Sequence, residues 1–256
     1  MGPLATADFY TKLVRLTPAR TDQEHPRVII DSNPKIPDRT AGLFGQGPDP
    51  TPQLVATARG LVRAGAGVIA IPCNSAHAFL GAIRNGVPVP VLDMMDEVAA
   101  VTAALRPRPR AVGLLATPGT IRSRLYHRAL RRRGITVVES TPAEEARVLA
   151  AIKAVKAGDL GKRVRNRVRA AAAALARRGA GAIILGCTEL PLVMAAGDAP
   201  VPVLDGTEIL AAAAVREACA DDGLGKEFSR PLRRSHARMQ SFTHHAGALR
   251  RPARRR

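Results

Sequence analysis

Residues 61–74 read LVRAGAGVIAIPCN, and residues 175–188 read LARRGAGAIILGCT. Each stretch runs from a helix end through a Gly-Ala-Gly turn into a short apolar run. Each then closes on a cysteine and a small polar residue, Cys73 with Asn74 and Cys187 with Thr188. A second match follows, since PVPVLD at residues 88–93 returns unchanged at 200–205. Two ordered matches at nearly constant offset mark one old unit used twice, and self-similarity of this kind constrains a fold more than local propensity does.

The unit reads as α/β. Residues 68–71 and 182–185 are apolar runs bounded by Gly and Pro or by Gly, which suits strands buried in a parallel sheet. Further strands are expected at 27–31, 111–115 and 135–139. Helices are expected at 5–16, 52–64, 121–132, 143–156, 163–178 and 206–220. Alternation of strands and helices implies parallel sheets flanked by helices. The expected architecture is therefore two pseudo-symmetric α/β domains, residues 1–105 with 206–225 and residues 106–205. Ligands of such sheets gather beyond the carboxyl ends of the strands, and both cysteines stand at that end.

The repeat also predicts a gap in the first domain. The second unit opens with a strand at 111–115, ahead of a helix carrying Tyr126. If Tyr10 is the counterpart of Tyr126, residue 1 falls near Thr117, just past that strand. The first domain is thus expected to lack its opening strand, and the chain to begin at an internal Met.

Composition narrows the class further. Apolar residues make up 46% and aromatics only 3%, so the core must be built from Ala, Val, Ile and Leu. No run matches a membrane span of about 20 apolar residues. The opening Met1-Gly2-Pro3-Leu4 does not read as a secretion signal. Three widely spaced cysteines argue against a disulfide framework and point to the cytoplasm. The net charge is +18, and half of it comes from nine arginines between residues 228 and 256, where no acid occurs. Residues 226–256 therefore read as a solvated, disordered extension. Phosphate attraction would make nucleic acid its alternative partner, but no stacking aromatics stand among the terminal arginines.

Two equivalent domains facing one another bring two cysteines to one cleft from opposite sides. That geometry suits removal of a proton from one face of a carbon and delivery to the other, with one thiolate and one thiol exchanging roles. A helix start is expected after each cysteine, and its N–H groups would favour the thiolate. A lone cysteine beside a strand is ordinarily packing, and that reading suits Cys219, which has no duplicate. The duplication favours chemistry for Cys73 and Cys187. No CxxC occurs and His244-His245 has no suitable partners nearby, so no metal site is expected. Asp93 and Asp205, which end the two PVPVLD copies, read as helix caps.

The stretches Met1-Gly2-Pro3-Leu4-Ala5-Thr6, Ile36-Pro37-Asp38-Arg39-Thr40, Pro72-Cys73-Asn74-Ser75-Ala76-His77 and Leu185-Gly186-Cys187-Thr188-Glu189-Leu190-Pro191-Leu192 resemble the aspartate/glutamate racemase family, in particular its aspartate racemase branch. The resemblance covers roughly residues 1–225. It implies an amino-acid racemase, an isomerase that needs no pyridoxal phosphate or other cofactor and forms homodimers. It implies Cys73 and Cys187 as the two acid/base residues. It implies Asn74, Ser75, Thr117 and Thr188 as contacts to the amino and α-carboxylate groups, and Arg39 and Lys156 as cations near the distal carboxylate of a small acidic amino acid. His77 reads either as a neighbour of the site or as a structural hydrogen-bonder, and Glu189 as at most a polarising group. The alternatives are a related isomerase on another acidic or amino-acid-derived substrate, or an inactive homologue whose basic tail binds anions.

Overall fold

The computed structural model describes residues 2–220. The Arg-rich extension, His244-His245 and the last residues assigned to the first domain lie outside them. In chain order the helices are α1 (Pro3–Leu16), α2 (Arg39–Leu43), α3 (Thr51–Arg63), α4 (Leu80–Gly86), α5 (Met94–Ala104), α6 (Pro118–Arg122), α7 (Leu125–Arg131), α8 (Pro142–Lys156), α9 (Lys162–Arg177) and α10 (Gly206–Ala218). The strands are β1 (Ala111–Ala116), β2 (Thr136–Val138), β3 (Ile183–Gly186) and β4 (Val203–Asp205). No helix among the described residues is long and apolar enough to cross a membrane.

The four strands form one parallel sheet in the order β2-β1-β3-β4. Successive side chains of a strand face opposite ways, and the core divides accordingly. Leu115, Ile183 and Leu185 pack against Val148 and Ile152 of α8 and Val168 and Leu175 of α9. Leu114, Ile184 and Leu204 face the other layer, where Met94 and Val98 of α5, Leu130 of α7 and Leu210 of α10 meet Phe9 and Leu13 of α1. This second layer draws on both halves of the chain.

Most helix ends follow from local chemistry. Thr141 and Glu144 form a reciprocal capping box at the start of α8. Asp93 accepts from the N–H groups of Met95 and Asp96, and Asp205 from those of Thr207 and Glu208, so both PVPVLD copies end in helix caps. The helix expected over 121–132 is instead divided into α6 and α7. Arg124 between them adopts the left-handed region at φ 57°, which breaks the run.

The duplication holds at the level of single hydrogen bonds. α3 is followed by Gly65 with φ 99° and α9 by Gly179 with φ 94°, each two residues past the helix end, in a region glycine enters without strain. The Ala66 N–H then reaches the Leu61 carbonyl at 3.0 Å, as the Ala180 N–H reaches that of Leu175 at 3.1 Å. Ile69 donates to the Pro90 carbonyl at 2.9 Å and bridges Val91. Ile183 donates to the Pro202 carbonyl at 2.8 Å and pairs with Val203.

The correspondence stops on the other side of these strands. β3 pairs there with β1, whereas residues 68–71 pair with nothing further among the described residues. The strand expected at 27–31 is not formed. That segment makes no backbone hydrogen bond to another described residue, and Val28 and Ile30 are exposed. The physical reason lies in the sheet order. β1 sits between β2 and β3, and among the described residues the first half has no counterpart of β1. Its apolar cluster, with Ile36, Leu54, Ile69, Leu80 and Ile83, is correspondingly small.

Candidate active site

Cys73 follows the Ile69 bridge and opens a tight turn, Ser75–Phe79, rather than the α-helix expected there. Cys187 likewise follows β3 and precedes only a short turn, Leu190–Leu192. Each sulfur therefore receives one local N–H, from Ala76 and from Glu189 respectively, instead of facing a long helix. Both thiols are buried.

Their surroundings differ. The Cys73 sulfur lies 3.7 Å from the Ser75 hydroxyl. Burial pushes this thiol up. The positive charges of the chain's amino terminus and of Arg39, with hydrogen bonds from Ser75 and the Ala76 N–H, outweigh that and bring it down to about 7. The Cys187 thiol donates to Glu189 Oε2 at 2.9 Å. Burial and the Glu189 carboxylate both push it well above its ordinary value, against the weaker pull of the Glu189 N–H and Lys156.

His77 is fixed as a structural group. Its Nε2 accepts from the Met94 N–H at 3.2 Å, so Nδ1 carries the proton and donates it to the Cys73 carbonyl at 2.9 Å. Burial lowers its basicity and keeps it neutral. It thereby ties the Cys73 backbone to the first turn of α5.

Tyr126 joins the halves. Its hydroxyl, fully buried, donates to Asn74 Oδ1 at 2.6 Å. Burial, then the charges of Asp205, Asp93 and Cys187, push its ionisation far above the usual phenol range. One side chain of the second half thus touches the residue after Cys73 while lying within electrostatic reach of Cys187. Tyr10, its expected counterpart, is exposed instead.

The other candidates gather around these groups. Arg39 opens α2, and its Nη1 donates to the Ile36 and Pro37 carbonyls at 2.9 and 2.8 Å. Thr117 caps α6, accepting from the Thr120 N–H. The two are brought near one another because a Cβ on Gly119 would lie 2.4 Å from the Thr40 hydroxyl, so α2 rests directly on α6. Thr188 donates to Glu189 Oε2 at 3.5 Å. A Cβ on Gly2 would lie 2.9 Å from Glu189 Oε1, which puts the start of α1 against this carboxylate. Lys156 is exposed at the end of α8 and reaches Cys187 only through its charge. Cys219 is buried in the core shared by both halves.

Four buried side-chain atoms lack a hydrogen-bond partner among the described residues, His127 Nδ1 and Thr207 Oγ1 besides two donors of the candidate site. Asn74 Nδ2 and Arg39 Nε are buried with no hydrogen-bond partner among the described residues. Buried polar groups are nearly always paired, so Asn74 Nδ2, next to Cys73 in sequence, and Arg39 Nε, whose charge is felt at Cys73, are donors open to an acceptor. A groove of about 800 Å³ lies elsewhere, between α8 and α9, lined by Arg147, Arg163, Arg167 and Arg177. It contains none of these groups.

The roles of Tyr126 and Glu189 go beyond what the sequence suggested. For Tyr126 a signal existed, because it is one of only two tyrosines and sits on an apolar helix face, where a buried hydroxyl needs a partner.

Comparison with known proteins agrees with this architecture. The Asp/Glu/hydantoin racemase family matches residues 1–214. The chain is similar to the broad specificity amino-acid racemase RacX of Bacillus subtilis, 27% identical over 221 residues that cover 84% of this chain and 93% of that one. Among solved structures it is similar to an aspartate racemase of Picrophilus torridus, with 30% identity and a TM-score of 0.76 over 85% of this chain and 90% of that one. An aspartate racemase homologue of Pyrococcus horikoshii shows 28% identity and a TM-score of 0.67 over 84% and 94%. Fold and family together define an amino-acid racemase, an isomerase. The chain belongs to the Asp/Glu/hydantoin racemase family.

Proposed function

We propose that this racemase interconverts the enantiomers of an acidic amino acid, aspartate or glutamate with aspartate first, without a cofactor, using Cys73 and Cys187 as its two acid/base groups. The observation that carries this reading is the unequal surroundings of two matched thiols, with the Ser75 hydroxyl 3.7 Å from Cys73 Sγ and the Glu189 carboxylate accepting from Cys187 at 2.9 Å. Cys73, brought down to about 7, is available as thiolate near neutral pH, while Cys187, pushed up by burial and Glu189, stays a thiol. That is the pairing a two-base reaction needs at its start.

The Cys73 thiolate takes the α-proton from one face of the substrate. The electron pair left on Cα takes a proton from the Cys187 thiol on the other face. Cys73 is then the thiol and Cys187 the thiolate, which is the starting state for the reverse direction. Developing negative charge at the reacting carbon and its carboxylate calls for fixed donors. Asn74 Nδ2 is one, with Ser75, Thr117 and Thr188 as the remaining candidates for the amino and α-carboxylate groups. Arg39 and Lys156 supply the positive charge that favours a second carboxylate, and Arg39 retains a free donor for it. Glu189 holds the Cys187 proton in place until it is needed.

The test is direct. Purified protein with no added pyridoxal phosphate, and with hydroxylamine present, is incubated with each enantiomer of aspartate, glutamate and alanine, and products are separated on a chiral column. The reading expects both aspartate enantiomers to approach one equimolar mixture, faster than alanine. Turnover confined to neutral amino acids, or abolished by hydroxylamine, would contradict it. A broader substrate range is the second reading, favoured by the exposure of Lys156 and the likeness to RacX. It predicts comparable rates for alanine and aspartate.

A further inference from the structure

Asn74 is held from two sides. Its carbonyl accepts from the His77 N–H at 3.1 Å, and the His77 ring donates to the Cys73 carbonyl at 2.9 Å, so the first half fixes its backbone. Its side chain, in a residue only 3% exposed, meets the second half instead, where the Tyr126 hydroxyl donates to Oδ1 at 2.6 Å. That hydroxyl has little freedom of its own. The Tyr126 ring is fully buried in the core shared by both halves, and a Cβ on Gly206, the first residue of α10, would lie 3.3 Å from its oxygen. Among the described residues, Asn74 Oδ1 is the acceptor of the hydroxyl proton. Turning the amide over would set Nδ2 against the phenol oxygen and leave that proton buried without an acceptor. The bond therefore selects one sense of the amide. With Oδ1 engaged, Nδ2 is left over, buried and without a partner among the described residues.

We propose that Tyr126 is a positioning residue of the racemase, which holds the Asn74 amide so that the substrate's α-carboxylate meets its NH₂ group and not its carbonyl oxygen. The proposal rests on the reading of Asn74 as a substrate contact. A side-chain amide offers donors on nitrogen and an acceptor on oxygen, and the two ends suit opposite charges. Loss of the α-proton sends negative charge toward the α-carboxylate, where a fixed N–H is stabilising and an oxygen repels. An unheld amide presents either end, and the bond from Tyr126 removes that choice. Tyr126 also keeps its proton at every pH at which the thiols can share the work. Burial, then the negative charges of Asp205, Asp93 and Cys187, push its ionisation far above the usual phenol range. The donor that follows Cys73 in sequence is thus set by a side chain of the half that carries Cys187.

Wild type, Tyr126→Phe, Asn74→Ala and the double variant test this as a cycle, with kcat and KM for L-aspartate followed by chiral separation. Thermal unfolding is recorded for all four, so that a fall in stability is read apart from a fall in rate. Asn74→Ala is expected to lower kcat/KM about 10²-fold. Tyr126→Phe is expected to lower it about tenfold, the amide being present but unheld. In the Asn74→Ala background, Tyr126→Phe is expected to change kcat/KM by less than about twofold. A contribution to packing alone would act equally in both backgrounds. Losses that multiply in the double variant, or a Tyr126→Phe enzyme within about twofold of wild type, would overturn the proposal. A second measurement needs only the wild-type chain and no turnover. The Asn74 Nδ2 proton pair, identified in a ¹⁵N–¹H spectrum by its loss in Asn74→Ala, is expected to shift when L-aspartate is added. A pair that stays in place at saturating aspartate would also overturn the proposal. Wild type that racemises no acidic amino acid would end the racemase reading. Wild type that does so, with no coupling in the cycle, would end this proposal alone.

Discussion

Cys73 and Cys187 occupy equivalent strand ends, and both are buried, yet their neighbours are opposite in charge. Arg39 and the Ser75 hydroxyl face one, and the Glu189 carboxylate faces the other. Alkylation by iodoacetamide at a series of pH values, with each site followed by mass spectrometry, reads this directly because only the thiolate reacts. Cys73 labelling is expected to rise through a midpoint near 7, while Cys187 stays unreactive until pH is well above 9. Glu189→Gln removes the anion and so brings the Cys187 midpoint down, leaving that of Cys73 in place. An unmoved Cys187 midpoint would deny Glu189 its part. The cysteine pair was legible in the sequence because the duplication repeats it. The inequality was not, since it arises from residues that only folding brings near, Arg39 from 34 positions upstream among them.

At the scale of elements, α1 is held to the rest by an ion pair as well as by Phe9 and Leu13. Lys12 Nζ lies 2.7 Å from Asp205 Oδ2 and also meets Asp8, and its side chain is only 8% exposed. Asp205 thus caps α10 and anchors α1 at once. Lys12→Ala leaves a largely buried carboxylate without its counter-charge and is expected to cost about 3 kcal/mol in urea unfolding. A loss under about 0.5 kcal/mol would show the pair to be idle. Burial lowers the Lys12 pKa, and Asp205 and Asp8 more than reverse that, holding it above 10.5. A raised folded pKa contributes fully below the unfolded value and is lost as pH rises through the folded one. The stability difference between wild type and Lys12→Met should accordingly be flat from neutral pH to the edge of that range and shrink beyond 10.5.

The same scale shows what sequence patterns can carry. The helices at 3–16, 51–63, 142–156 and 162–177 lie within two residues of expectation, because an amphipathic or capped helix satisfies its own backbone. Residues 27–31 have a strand's composition but no strand, because a strand needs a neighbour. Residues 68–71 keep the one bond pattern for which the partner, Pro90 to Leu92, is present.

Across the whole molecule, the two halves are equal in plan and unequal in completeness. The second has a four-stranded sheet between two layers of helices. The first contributes Cys73, Asn74 and Arg39 from short turns and a single bridge, and Tyr126 of the second reaches across to Asn74. That one local unit is used twice could be read from the repeat alone. How the second unit steadies the first could not, because the Tyr126 contact with Asn74 spans 52 positions and has no counterpart in the copy.

The claim that both cysteines act, one on each face of the substrate, is tested most directly by proton exchange in D₂O. Wild type, Cys73→Ser and Cys187→Ser are each incubated with L-aspartate and with D-aspartate, and both Cα deuteration and enantiomer content are followed. Wild type is expected to deuterate and racemise both. Each variant should lose racemisation by about 10²-fold or more while still exchanging the α-proton of one enantiomer, a different one for each variant. Full racemisation by both single variants would contradict the account.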